Sequence, residues 1–140
     1  MIRFHVPGVP LPKSAINTMV RHGRVLHFKD KKNQAWEDTV TRYAVLERAK
    51  LGNPDPISGP VILTCAFYFE APKSYKQKEL ILPKITRPDF DNLFKAVCDG
   101  LTKANIWTDD SVVYKPGAES GKFTTTQKEI LGVEIQIETR

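Results

Sequence analysis

Several features that would place a protein quickly are scarce here. Cysteine is one: the 140 residues hold only Cys65 and Cys98. Two thiols so far apart make neither a disulfide scaffold nor a metal knuckle, and they read as buried free thiols in a reducing cytosol. Histidine is another, since His5, His22 and His27 show no zinc-like spacing with the cysteines and read as polar strand or loop residues. Long apolar runs are missing too. The longest, such as Val61–Ile62–Leu63, fall far short of the roughly 18 residues of a membrane helix. Arg3, His5 and Pro7 interrupt any signal-type stretch at the N-terminus. No repeat or low-complexity tract is visible. The expectation is a non-membrane, cytoplasmic chain that forms one small domain over residues 1–140.

What is present is ordinary in amount and uneven in placement. Hydrophobic residues make up 41% and charged residues 26%, enough for a core of useful size. The net charge is +5. Residues 1–50 carry a balance of +6, residues 51–100 balance at zero, and residues 101–140 stand at −1. The whole basic excess lies in the first third, which points to an anionic partner such as nucleic acid on one surface.

Periodicity gives a coarse order of elements. Ile2–Val6 predicts a strand stopped by Pro7-Gly8, and residues 7–23, with three prolines and two glycines, predict a loop. Arg24–Phe28 predicts a short strand. Asp30 predicts a cap for a helix running to about Ala49, with Trp36, Val40, Tyr43, Ala44 and Leu46 or Glu47 at helical spacing. Val61–Phe69 is the strongest strand signal. Residues 71–88 predict a long loop of the kind often used for function. A second helix is predicted from Asp89–Asp91 to about Ala104, on Phe94, Val97 and Leu101. Val112–Tyr114 and Leu131–Ile137 predict strands on either side of a turn-rich excursion over 116–128. The class is α+β (mixed α/β), a mixed sheet flanked by two main helices.

The informative residues surround the second helix. Asp89 and Asp91 begin it, Lys95 lies one turn after Asp91, Asp99 one turn later, and Asp109-Asp110 follow its end. A helix of about 13 residues is roughly 20 Å long. The second acidic pair therefore meets the first only if the chain runs back along the helix, which a short loop at Asn105–Thr108 permits. Grouped carboxylates are the hard oxygen ligands that Mg²⁺ prefers, and a lysine beside them adds positive charge for a phosphate. A plainer reading stays open: Asp89 as a helix cap, Asp91, Lys95 and Asp99 as a surface salt-bridge ladder, and Asp109-Asp110 as a solvated turn.

The run Asp89-Phe90-Asp91-Asn92-Leu93-Phe94-Lys95-Ala96-Val97-Cys98-Asp99-Gly100-Leu101, with Asp109-Asp110 after a spacer, resembles the RusA-type Holliday junction resolvases (crossover junction endodeoxyribonucleases). Pro10-Leu11-Pro12-Lys13, Ala71-Pro72-Lys73-Ser74 and the C-terminal strand are similar more loosely. The resemblance implies Mg²⁺-dependent nicking of four-way junction DNA by a homodimer, in DNA recombination and repair, with Mn²⁺ as a substitute ion and a nucleoid-associated location. It implies Asp89, Asp91 and Asp110 as metal-binding catalytic acids and Lys95 as the catalytic lysine, with Asp109 beside them. A further lysine near the following strand maps to Lys115 or Lys122. Val112 after Ser111 departs from the family, where many relatives carry a polar residue such as Gln.

For the DNA backbone, the basic candidates are Lys13, Arg21, Arg24, Lys31 and Lys32, with His22 and Lys29 near them, and Lys73, Lys76, Lys78 and Lys84 on the 71–88 loop. Tyr75 is available for stacking. Phe90 reads as core, or as a wedge between bases. Trp36 and Trp107 read as core. The alternative to an enzyme is a non-cleaving junction- or duplex-DNA-binding protein, and a third reading is a basic interaction domain whose acids only cap and solvate.

Overall fold

The computed structural model describes residues 1–13, 16–75 and 80–140, and for 16–19, 21 and 26–29 the backbone only. The longest strand, β4 (Val61–Glu70), organises the fold. One edge of β4 pairs antiparallel with β8 (Gly132–Thr139), which pairs in turn with β1 (Ile2–Pro7). The other edge is shared by two parallel partners. β6 (Val113–Pro116) takes the start of β4, and β7 (Gly121–Thr125) takes its second half. A three-residue strand, β5 (Ile81–Pro83), closes the far side of β7. The sheet is thus mixed, in the order β1-β8-β4-β7-β5.

Period-two patterning explains which face is covered. Val61, Leu63, Cys65 and Phe67 of β4 are buried, as are Val133, Ile135 and Ile137 of β8, while Glu134, Gln136 and Glu138 alternate with the latter. Two helices supply the rest of this core: α1 (Lys31–Lys50) with Trp36, Val40 and Ala44, and α2 (Phe90–Lys103) with Leu93, Val97 and Leu101. The helices meet closely at Gly100. A Cβ there would lie 2.9 Å from Val40 Cγ1 and 3.2 Å from the Glu37 carbonyl oxygen, so only glycine fits without a shift. The Thr41 hydroxyl donates to the Gly100 carbonyl at 3.0 Å, and Lys103 pairs with the buried Glu37 across the same seam. Among the described residues, no helix is long and apolar enough to cross a membrane.

The α+β class, both helices and the principal strands match the expectation, and five local readings need correction. The expected loop over 7–23 contains β2 (Ile16–Arg21), hairpin-paired with β3 (Arg24–Lys29) as a separate two-stranded sheet. Its two-residue turn, His22-Gly23, has both φ values positive (52° and 74°), the backbone twist that tight hairpins favour. The polar residues of β2 hid it. The excursion over 116–128 contains β7, and the 71–88 loop contains β5. Both are short strands that exist through pairing to β4 and to each other rather than through periodicity. The strand expected at Val112–Tyr114 starts at Val113, because Asp110–Val112 form a 3-10 turn first. On α1, Leu46 is exposed and Glu37 is buried instead, since Lys103 reaches Glu37 from α2.

Candidate active site

Both helices begin on an aspartate. Asp30 caps α1 in the ordinary way, its carboxylate accepting from the amides of Lys32 (2.9 Å) and Asn33 (3.2 Å). Asp89 occupies the same position on α2, with extended backbone (φ −71°, ψ 144°), but its side chain makes no capping hydrogen bond. Reading Asp89 as a simple cap is therefore wrong: only its backbone carbonyl serves the helix, accepting from the Leu93 amide at 3.2 Å. The exposed carboxylate is left for other work. Asp91, in the first turn, is exposed and accepts from the Asn92 amide at 3.0 Å.

The chain does run back along α2. About 14 Å of helix axis separates Lys95 from Ala104, and segment 105–110 extended reaches about 20 Å. Asn105, with φ 60°, makes the reversal, and the indole N–H of buried Trp107 donates to the Thr102 hydroxyl at 2.7 Å. This delivers Asp110 to Lys95, whose Nζ donates to Asp110 Oδ2 at 2.7 Å. Lys95 also lies 3.8 Å from Asp99 Oδ1, so the expected ladder is half formed, with Asp110 taking the place of Asp91. The hydrogen bond to Asp110, above all, holds the Lys95 ammonium above its usual pKa.

The two acids of the Asp109-Asp110 pair do different jobs. Asp109 accepts from the Ser111 amide at 2.8 Å and caps the 3-10 turn, and that bond lowers its pKa. Asp110 faces α2. Beneath it, burial first and the Asp110 charge next push the Cys98 thiol up to about 12, so Cys98 is an inert neutral thiol. Burial also pushes the Cys65 thiol up.

Two further lysines arrive from elsewhere in the chain. Lys13 lies 3.5 Å from Asp99 Oδ2, and its amide donates to the Asn92 carbonyl at 3.0 Å. The Pro10–Lys13 segment is held from the other side by the Asn33 side-chain amide, which donates to the Pro12 carbonyl. Lys122 of β7 donates to the carbonyls of Thr86 (2.6 Å) and Pro88 (2.8 Å), immediately before Asp89. Between the two lysines that sequence left open, Lys122 reaches this end of α2, whereas Lys115 lies over the Tyr114 ring. No spacing rule joins Lys122 to Asp89, and only the β5–β7 pairing makes them neighbours.

Asp89, Asp91, Lys95 and Asp110 thus gather about the N-terminal half of α2, but they do not form a closed ligand set. Among the described residues, no three carboxylate, imidazole or thiol groups stand close enough to hold an ion together. Phe90 belongs to the core margin, packed edge-on against Phe67 (5.9 Å between centroids) and tilted against Phe94 (5.6 Å).

Of the basic candidates, Lys13 joins the acids. Arg24, Lys31, Lys32 and Lys73 are exposed on other elements. The side chains of Arg21, His27 and Lys29, and the whole of Lys76 and Lys78, lie outside the described residues. Lys84 donates to the Thr86 hydroxyl and sits over the Phe69 ring. His22 and Tyr75 are exposed.

Comparison with known proteins bears on the same residues. A family model described as endodeoxyribonuclease RusA matches residues 7–138. The crossover junction endodeoxyribonuclease RusA of Shigella sonnei (strain Ss046) is 30% identical over 128 residues, covering 87% of this chain and 92% of that protein. Its namesake in Escherichia coli (strain K12) is 29% identical over 128 residues, with the same coverage. An uncharacterised protein, YqaN, of Bacillus subtilis (strain 168) is 32% identical over 120 residues, 80% of this chain and 81% of that one. A family match across nearly the whole length and relatives aligned over most of it lead to one conclusion: the chain belongs to the RusA endodeoxyribonuclease family.

Proposed function

We propose that the protein is a structure-selective endodeoxyribonuclease that resolves four-way DNA junctions in recombination and repair, acting as one domain over residues 1–140. The observation that supports this best is the pair of acids placed against helix economy. Asp89 starts α2 without capping it, and Asp110 is returned to the Lys95 end of the same helix. A purely structural set of acids would cap and solvate, as Asp30 and Asp109 do.

In this reading Asp89, Asp91 and Asp110 bind Mg²⁺, with Mn²⁺ able to replace it. Their hard oxygen donors suit either ion, and the exposure of Asp89 and Asp91 leaves room for water. The ion, when bound, neutralises phosphate charge and makes water a better nucleophile at neutral pH. Lys95 bonds Asp110 and so holds one of the acids that would bind the ion, and its ammonium would add positive charge beside the scissile phosphate. Lys13 is tethered to Asn92 and Asp99, and it flanks the same phosphate path.

Grip on the backbone falls to Lys13, Arg21, Arg24, Lys31, Lys32, Lys73 and Lys76. Lys31 and Lys32 stand in the first turn of α1, which holds no acid. Cations there oppose the helix dipole at a cost of a few tenths of a kcal/mol, which a contact with phosphate offsets. Resolution needs two symmetric cuts, so a homodimer matches the two-fold substrate. A cytoplasmic, nucleoid-associated location accompanies this reading.

The test is cleavage of a synthetic four-way junction with Mg²⁺. Paired nicks that EDTA abolishes, and that Asp91→Asn abolishes while junction binding persists, support the reading. Wild-type inactivity with both Mg²⁺ and Mn²⁺ sinks it, and EDTA-insensitive binding without cutting would point to a non-cleaving junction binder.

A further inference from the structure

We infer that Lys122 is a positioning residue for Asp89. It fixes the chain just ahead of α2 so that the Asp89 carboxylate stays off the helix cap. The inference rests on the nuclease reading for its purpose, though not for its geometry.

An aspartate at the start of a helix normally orients itself by bonding to the amides of the first turn. Asp89 does not, yet its backbone is in the ordinary capping conformation. Something outside the helix must therefore hold the preceding peptides. Their amides offer little help, because Pro88 has none to give. The carbonyls are what remain, and Lys122 takes two of them. One ammonium donates to Thr86 O at 2.6 Å and to Pro88 O at 2.8 Å, using two of its three N–H groups.

Lys122 is itself fixed. It lies within β7, opposite Phe67 of β4, and its own carbonyl accepts from the Lys84 amide at 2.9 Å. Pro83 faces Phe123 in the β5–β7 pairing. The stretch 84–88 is thus tied to β7 at its start by backbone and at its end by one side chain. β7 is in turn paired along β4, at the centre of the sheet. The result is a rigid path from the sheet to Asp89 that does not use the helix. Lys84 makes a useful contrast: it bonds the Thr86 hydroxyl rather than a carbonyl, so it does not hold the backbone ahead of Asp89.

The experiment compares the full-length wild type with Lys122→Met, Lys122→Arg and Lys84→Met by three measurements. These are amide hydrogen exchange, Mn²⁺ binding followed by electron paramagnetic resonance, and junction cutting as a function of Mg²⁺ concentration. In Lys122→Met, amides of 89–93 should exchange at least tenfold faster while those of α1 are unchanged. Mn²⁺ affinity and the Mg²⁺ concentration for half-maximal cutting should worsen at least tenfold, with metal-free junction binding within twofold of wild type. Lys122→Arg, which can still donate to both carbonyls, should recover most of each loss, and Lys84→Met should match wild type in exchange at 89–93 and in Mn²⁺ affinity.

Unchanged local exchange and unchanged metal requirement in Lys122→Met would overturn the inference. So would equal acceleration of exchange throughout the molecule, which marks a merely structural lysine. Should Lys122→Met fail to fold, Lys122→Gln is compared instead: its shorter, uncharged amide can hold at most part of the pair, so a smaller loss in the same direction is expected and no loss overturns the inference. Failure of the wild type to cut would remove the nuclease reading alone, because the exchange and Mn²⁺ measurements stand without it.

Discussion

The starts of α1 and α2 use the same residue type for different ends. Asp30 bonds two amides of the first turn and thereby stabilises its helix. Asp89 leaves those amides alone, and α2 forms anyway because its apolar face is buried: Leu93, Ala96, Val97 and Leu101 are all within the core. A cap contributes about 1 kcal/mol, whereas each buried Leu or Val contributes about 1.5–3 kcal/mol. A helix with such a face can do without its cap, and the carboxylate it releases is available for chemistry. The same contrast recurs in miniature at Asp109 and Asp110, where the first caps a turn and the second faces Lys95.

The sharpest way to break this comparison is a pair of alanine substitutions. Asp89→Ala should lower junction cutting by at least about 10²-fold, since the proposed role as an ion ligand would be worth several kcal/mol. Its melting temperature should stay within about 1 °C of wild type, because no cap bond is lost. A large fall in melting temperature with cutting intact would reverse the assignment. Next in size is the seam between the helices. Gly100→Ala drives a methyl group against Val40 and the Glu37 carbonyl, and overpacking of this kind costs about 1–3 kcal/mol in chemical denaturation. Asp30→Ala should cost less, about 1 kcal/mol or roughly 3 °C in melting temperature, with cutting unchanged.

A further effect is alkaline. Cys98 is pushed up to about 12 by burial and then by Asp110, and Lys95 is held above its usual value by its bond to Asp110. Both groups bind their proton more tightly folded than unfolded. The stability they contribute is therefore complete below the unfolded values and is lost as pH rises through the folded ones. Melting followed by circular dichroism should show stability falling from the ordinary thiol pKa towards pH 12, less steeply in Cys98→Ala. An equal slope in that variant would remove Cys98 from the account.

Much of the site was legible because it is local. Asp89, Asp91 and Lys95 share one helix, so their spacing alone sets them about its first turns, and the apolar period of α2 fixes which side is buried. The return of Asp110 was legible only as a possibility, since a short loop permits reversal without requiring it. The buried Trp107 and the turn at Asn105 settle it. Strands β2, β5 and β7 carry little pattern of their own: β2 is half polar, β5 is three residues ending in proline, β7 is mostly polar, and each is held by a partner strand.

By itself the sequence determined the α+β class, the two helices, the inward faces of β4 and β8, and a family motif dense enough to name. Periodicity and spacing act over one or two turns, and these are properties of that range. Tertiary structure decided which aspartate caps and which stays free, that Lys95 turns to Asp110, and that Lys122 rather than Lys115 reaches the start of α2. The contacts of Lys95 and Lys122 join residues from 15 to 36 positions apart. They depend on strand pairing and core packing, which no local pattern encodes.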